Sequence, residues 1–289
     1  MSRIFDDRVK NFVNNILLNH GVAHYAYRVE FQLRGLPHIH GVLWLDDEET
    51  KNLLTDNKTF DLDKEKEFTA FANKWTTCEL PEDEVLREKV KSVLFHTHKY
   101  CKKKTGHCRF GFPKLPSKRT LIARPNPENW DEETLKEKKA KAEEILSKVK
   151  QALIDLKYEE PDPSESLDDF ILKVAGVDYD TYEECLRISE RGKVLILKRS
   201  VAERNIGTYH PVFLSAWNAN IDVQLVIDHY AVLTYITDYF SKGDVGFTAV
   251  LKRAIKESRG MRHFDRLNYI KQVYFTHRQV MKFDYLTRS

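Results

Sequence analysis

At 289 residues with 42% hydrophobic content, the chain can bury a large core without disulfide staples, as one domain or one domain carrying an insertion. Four cysteines, at 78, 101, 108 and 185, are too few for a disulfide scaffold and favour a reducing compartment with free or metal-bound thiols. No stretch approaches the roughly 20 apolar residues of a membrane span, and the first residues lack the apolar core of a signal peptide. The expectation is a soluble intracellular protein with no membrane partner.

The chain opens with a predicted helix over 6–19, followed by two strands over 23–33 and 37–45. Arg34-Gly35 between them is a natural turn, so the strands are expected to pair antiparallel. The second strand begins Pro37-His38-Ile39-His40-Gly41. Side chains alternate across a strand, so His38 and His40 project from one face and can converge on one cation. If His38 lies opposite Gln32, then His40 lies opposite Glu30, and the two residues are rival third ligands. Two imidazoles and one oxygen leave open positions on the metal. That set suits catalytic Mg²⁺ or Mn²⁺ better than structural zinc.

Helical spacing of Phe68, Phe71, Ala72 and Trp75 predicts a helix over 63–76, and Pro81 opens another over 82–98. From Lys89 to Pro127 there is no Asp or Glu, while eleven positions are Lys or Arg. Among them Lys102, Lys103, Lys104, Arg109, Lys114, Lys118 and Arg119 form an electrostatic footprint suited to nucleic-acid phosphates. The tail beyond residue 252 is basic as well. Inside the first basic run, His96, His98, Cys101, His107 and Cys108 fall within thirteen residues. Thiolate and imidazole ligands at such short spacing suit tetrahedral Zn²⁺. Cys101 and Cys108 with His96 and His98 are the candidate ligands, and Cys78 or Cys185 are further donors. We read 95–125 as a basic, metal-ordered loop region.

Residues 127–156 are dense in Glu and Lys with a thin apolar stripe and predict a long exposed helix, and two short helices are expected over 166–174 and 180–189, the second capped by Asp180. The span 127–190 reads as a helical insertion into the core. Residues 194–198 are strongly β-like, and 220–226 alternate apolar and polar residues like a half-buried strand. The mixture of elements is α+β. A further helix over 228–241 places Tyr235 and Tyr239 on one face, with Lys242 beyond them. A phenol attacks phosphorus poorly unless a metal withdraws charge from the phosphate, and Lys242 is placed to hold that phosphate or stabilise the phenolate.

Four segments in order carry a resemblance: Glu30 to His40, Cys108-Arg-Phe-Gly-Phe-Pro113, Trp217 to Gln224, and Tyr235-Ile-Thr-Asp-Tyr-Phe-Ser-Lys242. Together they resemble the Rep nuclease domain of Helitron transposons, a two-tyrosine branch of the HUH endonucleases. The resemblance implies a ferredoxin-like HUH core with a central antiparallel sheet, spanning 1–289 as one nuclease domain. It implies His38 and His40 as metal ligands and Tyr235 and Tyr239 as paired nucleophiles. The implied activity is metal-dependent nicking and transfer of single-stranded DNA, as in rolling-circle replication, through a 5′-phosphotyrosine intermediate and a free 3′-OH. Asp238 departs from relatives that carry a basic residue between the tyrosines. No Gly-x-x-x-x-Gly-Lys-Ser/Thr loop is present, so a helicase partner is expected in a parent polypeptide or in trans. The expected location is the nucleus if the source is eukaryotic. The rival reading is a domesticated DNA-binding module of the same fold that no longer cleaves, with an unrelated metal hydrolase ranked last.

Overall fold

The structure is a computed structural model that describes residues 2–31, 37–45, 62–98, 101, 108–189, 192–227, 253 and 256. Helices and small antiparallel sheets alternate along it, an α+β composition. Two compact units are present, one chiefly Arg3–Ala23 with Leu45–Asp228, the other chiefly His24–Trp44 with His229–Ser289. Among the described residues no helix is long and apolar enough to cross a membrane.

In the second unit the described part is a hairpin, β1 (Val22–Phe31) paired with β2 (Pro37–Leu45). A Cβ added at Gly41 would stand 3.4 Å from the Ala26 carbonyl oxygen and 3.5 Å from the Tyr27 Cβ. The glycine thus lets the two strands close on each other. Tyr25 and Tyr27, two residues apart and so on one face, stack with their rings 6.1 Å apart.

The first unit begins with α1 (Ser2–Phe12), which widens into a π-helical turn over Val13–Leu17 and then tightens through a 3-10 turn at Leu18–His20 to Gly21 at φ 77°. Its Phe12 packs edge-on to Phe213 and Trp217, which makes Trp217 a packing residue. Next come α2 (Leu62–Trp75) and α3 (Glu84–Val93), the latter capped by Asp83, whose carboxylate accepts from the Leu86 N–H at 2.7 Å. The helix expected over 82–98 stops at Val93 because the following backbone pairs elsewhere. Phe95 bridges Ile206, and the His96 N–H donates to the Asn205 carbonyl at 2.8 Å.

β3 (Leu121–Ala123) pairs antiparallel with β4 (Val194–Ile196), matching Leu121 with Ile196 and Ala123 with Val194. Alternation along β3 serves two cores. Leu121 joins the apolar cluster of three helices, α4 (Glu132–Asp155), α5 (Leu167–Ala175) and α6 (Tyr179–Leu186), whereas Ile122 packs with Phe68 and Ala72 of α2. α4 is therefore less exposed than its charge density predicts, since Ala142, Ile145, Val149 and Leu153 bury one stripe against Phe170, Ile171 and Tyr182. Ser166 caps α5, and Asp178 caps α6. Asp180 instead lies in the first turn of α6, because Asp178 reaches the Thr181 N–H first. Buried Glu65 on α2 binds Arg187 just past α6 at 2.9 and 3.2 Å. The expected strand at 220–226 keeps its alternating burial but has no ladder partner among the described residues. Its described backbone bond is Val223 N–H to the Thr208 carbonyl at 3.1 Å.

α7 (Pro211–Trp217) opens at His210, whose Nδ1 accepts from the Phe213 N–H at 3.4 Å while the ring stacks on Phe213 at 4.0 Å. Burial first, and His20 second, push the imidazole from 6.5 down to about 4. The folded pKa lies below the unfolded one, so the unfolded state takes the proton first on acidification. His210 therefore leaves stability intact above pH 6.5 and erodes it as pH falls toward 4, by about 3 kcal/mol at most. Urea melts of the parent and of His210→Asn across this window check it. The parent's stability advantage should shrink toward pH 4, and a constant difference between the two chains contradicts the assignment.

Candidate metal centres

Among the described residues, one ligand atom each from His96, His98, Cys101 and Cys108 gathers within 4.8 Å. Cys108 Sγ lies 3.3 Å from His96 Nε2, and Cys101 Sγ lies 3.2 Å from His98 Nδ1. Tetrahedral Zn²⁺, with Zn–S of about 2.3 Å and Zn–N of about 2.0 Å, sets neighbouring donors roughly 3.3 to 3.8 Å apart. The observed separations are a few tenths of an ångström from that range, and the donor chemistry is that of a closed structural site. The group could hold a metal such as zinc. Cys78 and Cys185 are not donors to it. The Cys78 thiol is buried, donates to the Lys198 carbonyl at 3.2 Å and is pushed up to about 11 by burial, while Cys185 sits in the three-helix core. His107 lies outside the described residues.

Local electrostatics favour the ligand forms. Burial, then His98 and Lys114, hold the His96 imidazole below its ordinary range, so it stays neutral. Burial raises the Cys108 thiol, but contacts from the Phe110 and Phe112 backbone, the Cys101 thiol and the Gly111 backbone bring it below its ordinary range. Three segments hold the donors. His96 stacks on Phe112 at 4.4 Å, and the His98 N–H donates to the Tyr158 hydroxyl oxygen at 2.9 Å. A turn closes from the Gly111 N–H to the Cys108 carbonyl at 3.0 Å, with Gly111 at φ 72°, where glycine escapes the strain of a side chain. Lys150 from α4 then donates to the Gly111 carbonyl at 2.7 Å and to the Pro113 carbonyl. Burial, then Lys114, push that ammonium down to about 8. Neither Lys150 nor Tyr158 carries a sequence signal for this role, because each arrives from a distant helix end.

On the hairpin, His38 and His40 meet with their Nε2 atoms 2.9 Å apart and their rings 4.7 Å apart. Two donors at 2.1 Å from one octahedral cation stand about 3.0 Å apart when they are cis, so this spacing fits both a shared cation and a direct hydrogen bond. Position 30 lies on β1, and Gln32 falls outside the described residues. So do Tyr235, Tyr239, Lys242, Lys102, Lys103 and Lys104.

Four described cations of the basic run, Arg109, Lys114, Lys118 and Arg119, fall into two groups. Arg109 lies over the Phe110 ring at 4.4 Å and Lys114 lies 5.2 Å from the Phe112 centroid, both beside the His/Cys group. Lys118 pairs with Asp168 of α5 at 2.6 Å, and Arg119 Nε donates to both Glu183 oxygens of α6 at 3.1 and 3.2 Å. Part of the acid-free run is thus neutralised by carboxylates some fifty to sixty positions downstream.

Over residues 1–43 the chain matches the family described as Helitron helicase-like domain at N-terminus. That stretch holds α1, β1 and most of β2, including His38 and His40, and it associates the chain with Helitron elements. No curated protein and no solved structure matches the chain.

If the four donors bind zinc, the metal shields Cys101 and Cys108. Alkylation of the folded chain followed by mass spectrometry should show both cysteines protected, then labelled at least about tenfold faster after chelation. Cys78 and Cys185 should stay protected throughout. Labelling that ignores the chelator contradicts the site.

Proposed function

We propose that the chain is a metal-dependent single-stranded DNA endonuclease and strand transferase of the HUH two-tyrosine type. The observation that carries this reading is the convergence of His38 and His40 at 2.9 Å on a β2 strand inside the segment matched to the Helitron family. Glu30 or Gln32 would supply the third ligand. A divalent cation held there, Mg²⁺ or Mn²⁺, would draw charge from a non-bridging phosphate oxygen. Tyr235 or Tyr239 supplies the phenol oxygen that bonds to phosphorus. The bond from phosphorus to the 3′ oxygen breaks, the phenol proton ends on that oxygen, and the products are a 5′-phosphotyrosine and a free 3′-OH. The second tyrosine accepts a second strand, and Lys242 holds the phosphate. Because the phosphodiester is exchanged and not hydrolysed, rejoining needs no external energy source.

Incubation with labelled single-stranded oligonucleotide and Mn²⁺ tests this. A covalent adduct should form and survive denaturation. Tyr235→Phe with Tyr239→Phe should abolish it, and His38→Ala should slow it by on the order of 100-fold, the scale of several kcal/mol of lost Lewis-acid stabilisation. An adduct that persists without both tyrosines, or none with the intact chain, sinks the proposal.

A further inference from the structure

The His/Cys group is flanked by two large aromatic rings held in solvent, Phe110 at 48% exposure and Tyr158 at 51%. Scattered exposed aromatics are ordinary on protein surfaces. These two are connected and anchored. Phe110 meets His96 edge-on at 5.6 Å, His96 lies 5.1 Å from His98, and His98 lies 6.4 Å from Tyr158, so the rings line one aromatic strip.

The backbone under each ring is tied down. Arg204, itself 2% exposed, donates from one guanidinium nitrogen to the carbonyls of Lys157 at 3.3 Å and Glu159 at 2.6 Å, on either side of Tyr158. Its own carbonyl accepts from the Lys114 N–H at 2.7 Å, and Lys150 clamps the carbonyls that follow Phe110. Cations edge the Phe110 end of the strip, with Arg109 over Phe110 and Lys114 beside Phe112, within a run of 39 residues that contains no acid, whereas exposed Glu159 and Glu160 follow Tyr158 at the other end. Exposed, anchored rings with cations at one end match a strand that brings both π-faces and phosphates.

We propose that Phe110 and Tyr158 form a stacking platform for unpaired bases of single-stranded nucleic acid, with Arg109 and Lys114 meeting the adjoining phosphates. The proposal deepens the DNA-handling reading above, yet it depends on neither tyrosine nucleophile. Ordering of the Cys108 loop is what fixes the distance between the two rings.

The test uses the full, zinc-loaded chain carrying Tyr235→Phe and Tyr239→Phe, so that binding is read without cleavage. Fluorescence anisotropy at fixed salt compares an oligothymidylate with an abasic strand of equal length, which keeps the phosphates and lacks the bases. Phe110→Ala and Tyr158→Leu should each weaken oligothymidylate binding by about tenfold and leave abasic binding unchanged. Phe110→Tyr, which keeps an aromatic ring, should bind like the parent. Zinc content and melting temperature establish that each variant is folded. Parent-like affinity in both ring-removing variants, or equal losses on the two strands, overturns the platform. Failure of the covalent adduct assay with intact base-dependent binding would overturn only the nuclease reading.

Discussion

The segment from Arg199 to Gly207 is the constraint on which the metal cluster depends. Arg199 is buried, and its guanidinium donates to the Ile206 carbonyl at 2.8 Å and to the Glu203 carbonyl. The Glu203 carboxylate accepts from the Leu80 N–H at 2.6 Å and from the Ser200 N–H at 2.8 Å. A buried guanidinium without such acceptors would be destabilising by several kcal/mol, so the turn must keep this shape. Once shaped, its backbone bonds to four positions before and after the cluster: His96 at Asn205, Leu94 at Gly207, Lys114 at Arg204 and Ser117 at Arg199. The helix after Pro81 ends where it does, and the chain leaves the Cys108 turn at Lys114, because this segment claims their backbone bonds.

Much of the local structure was legible in the residues. Ser166 before an apolar periodic run marks a helix start, and Val194 to Ile196 forms a strand because its β-branched residues suit a half-buried sheet. The His and Cys spacing marked the four side chains that the structure brings within reach of one another, since residue type and proximity in sequence suffice for a group built largely from one loop. What sequence could not supply was the partner. Residues 220–226 alternate like a strand, but a ladder needs a second strand, and the described partners of this segment are Thr208 and Thr76, which bond it at isolated points. Lys118 and Arg119 read as phosphate ligands until Asp168 and Glu183 arrive from α5 and α6. Lys150, Tyr158 and Arg204 were silent for the same reason, because their bonds span 39, 60 and 45 residues.

The two histidine-bearing sites have different chemistries. His38 and His40 bring nitrogen donors alone from the described side chains, which leaves room for oxygen ligands and for substrate. His96, His98, Cys101 and Cys108 make a closed set of two nitrogens and two sulfurs, with no open position at which a phosphate could be polarised. A metal held by the second group would, on the proposed reading, serve architecture by pinning the Cys108 turn to the segment that follows α3. The functional account assigns chemistry to the hairpin and strand capture to the metal-ordered loop.

That division rests on the metal in the His/Cys group, and zinc K-edge absorption on the purified chain measures it most directly. The account predicts one zinc per chain, four-coordinate, with two sulfur neighbours at about 2.3 Å and two nitrogen neighbours at about 2.0 Å. A chain that binds no zinc, or a zinc shell of oxygen and nitrogen alone, would contradict it.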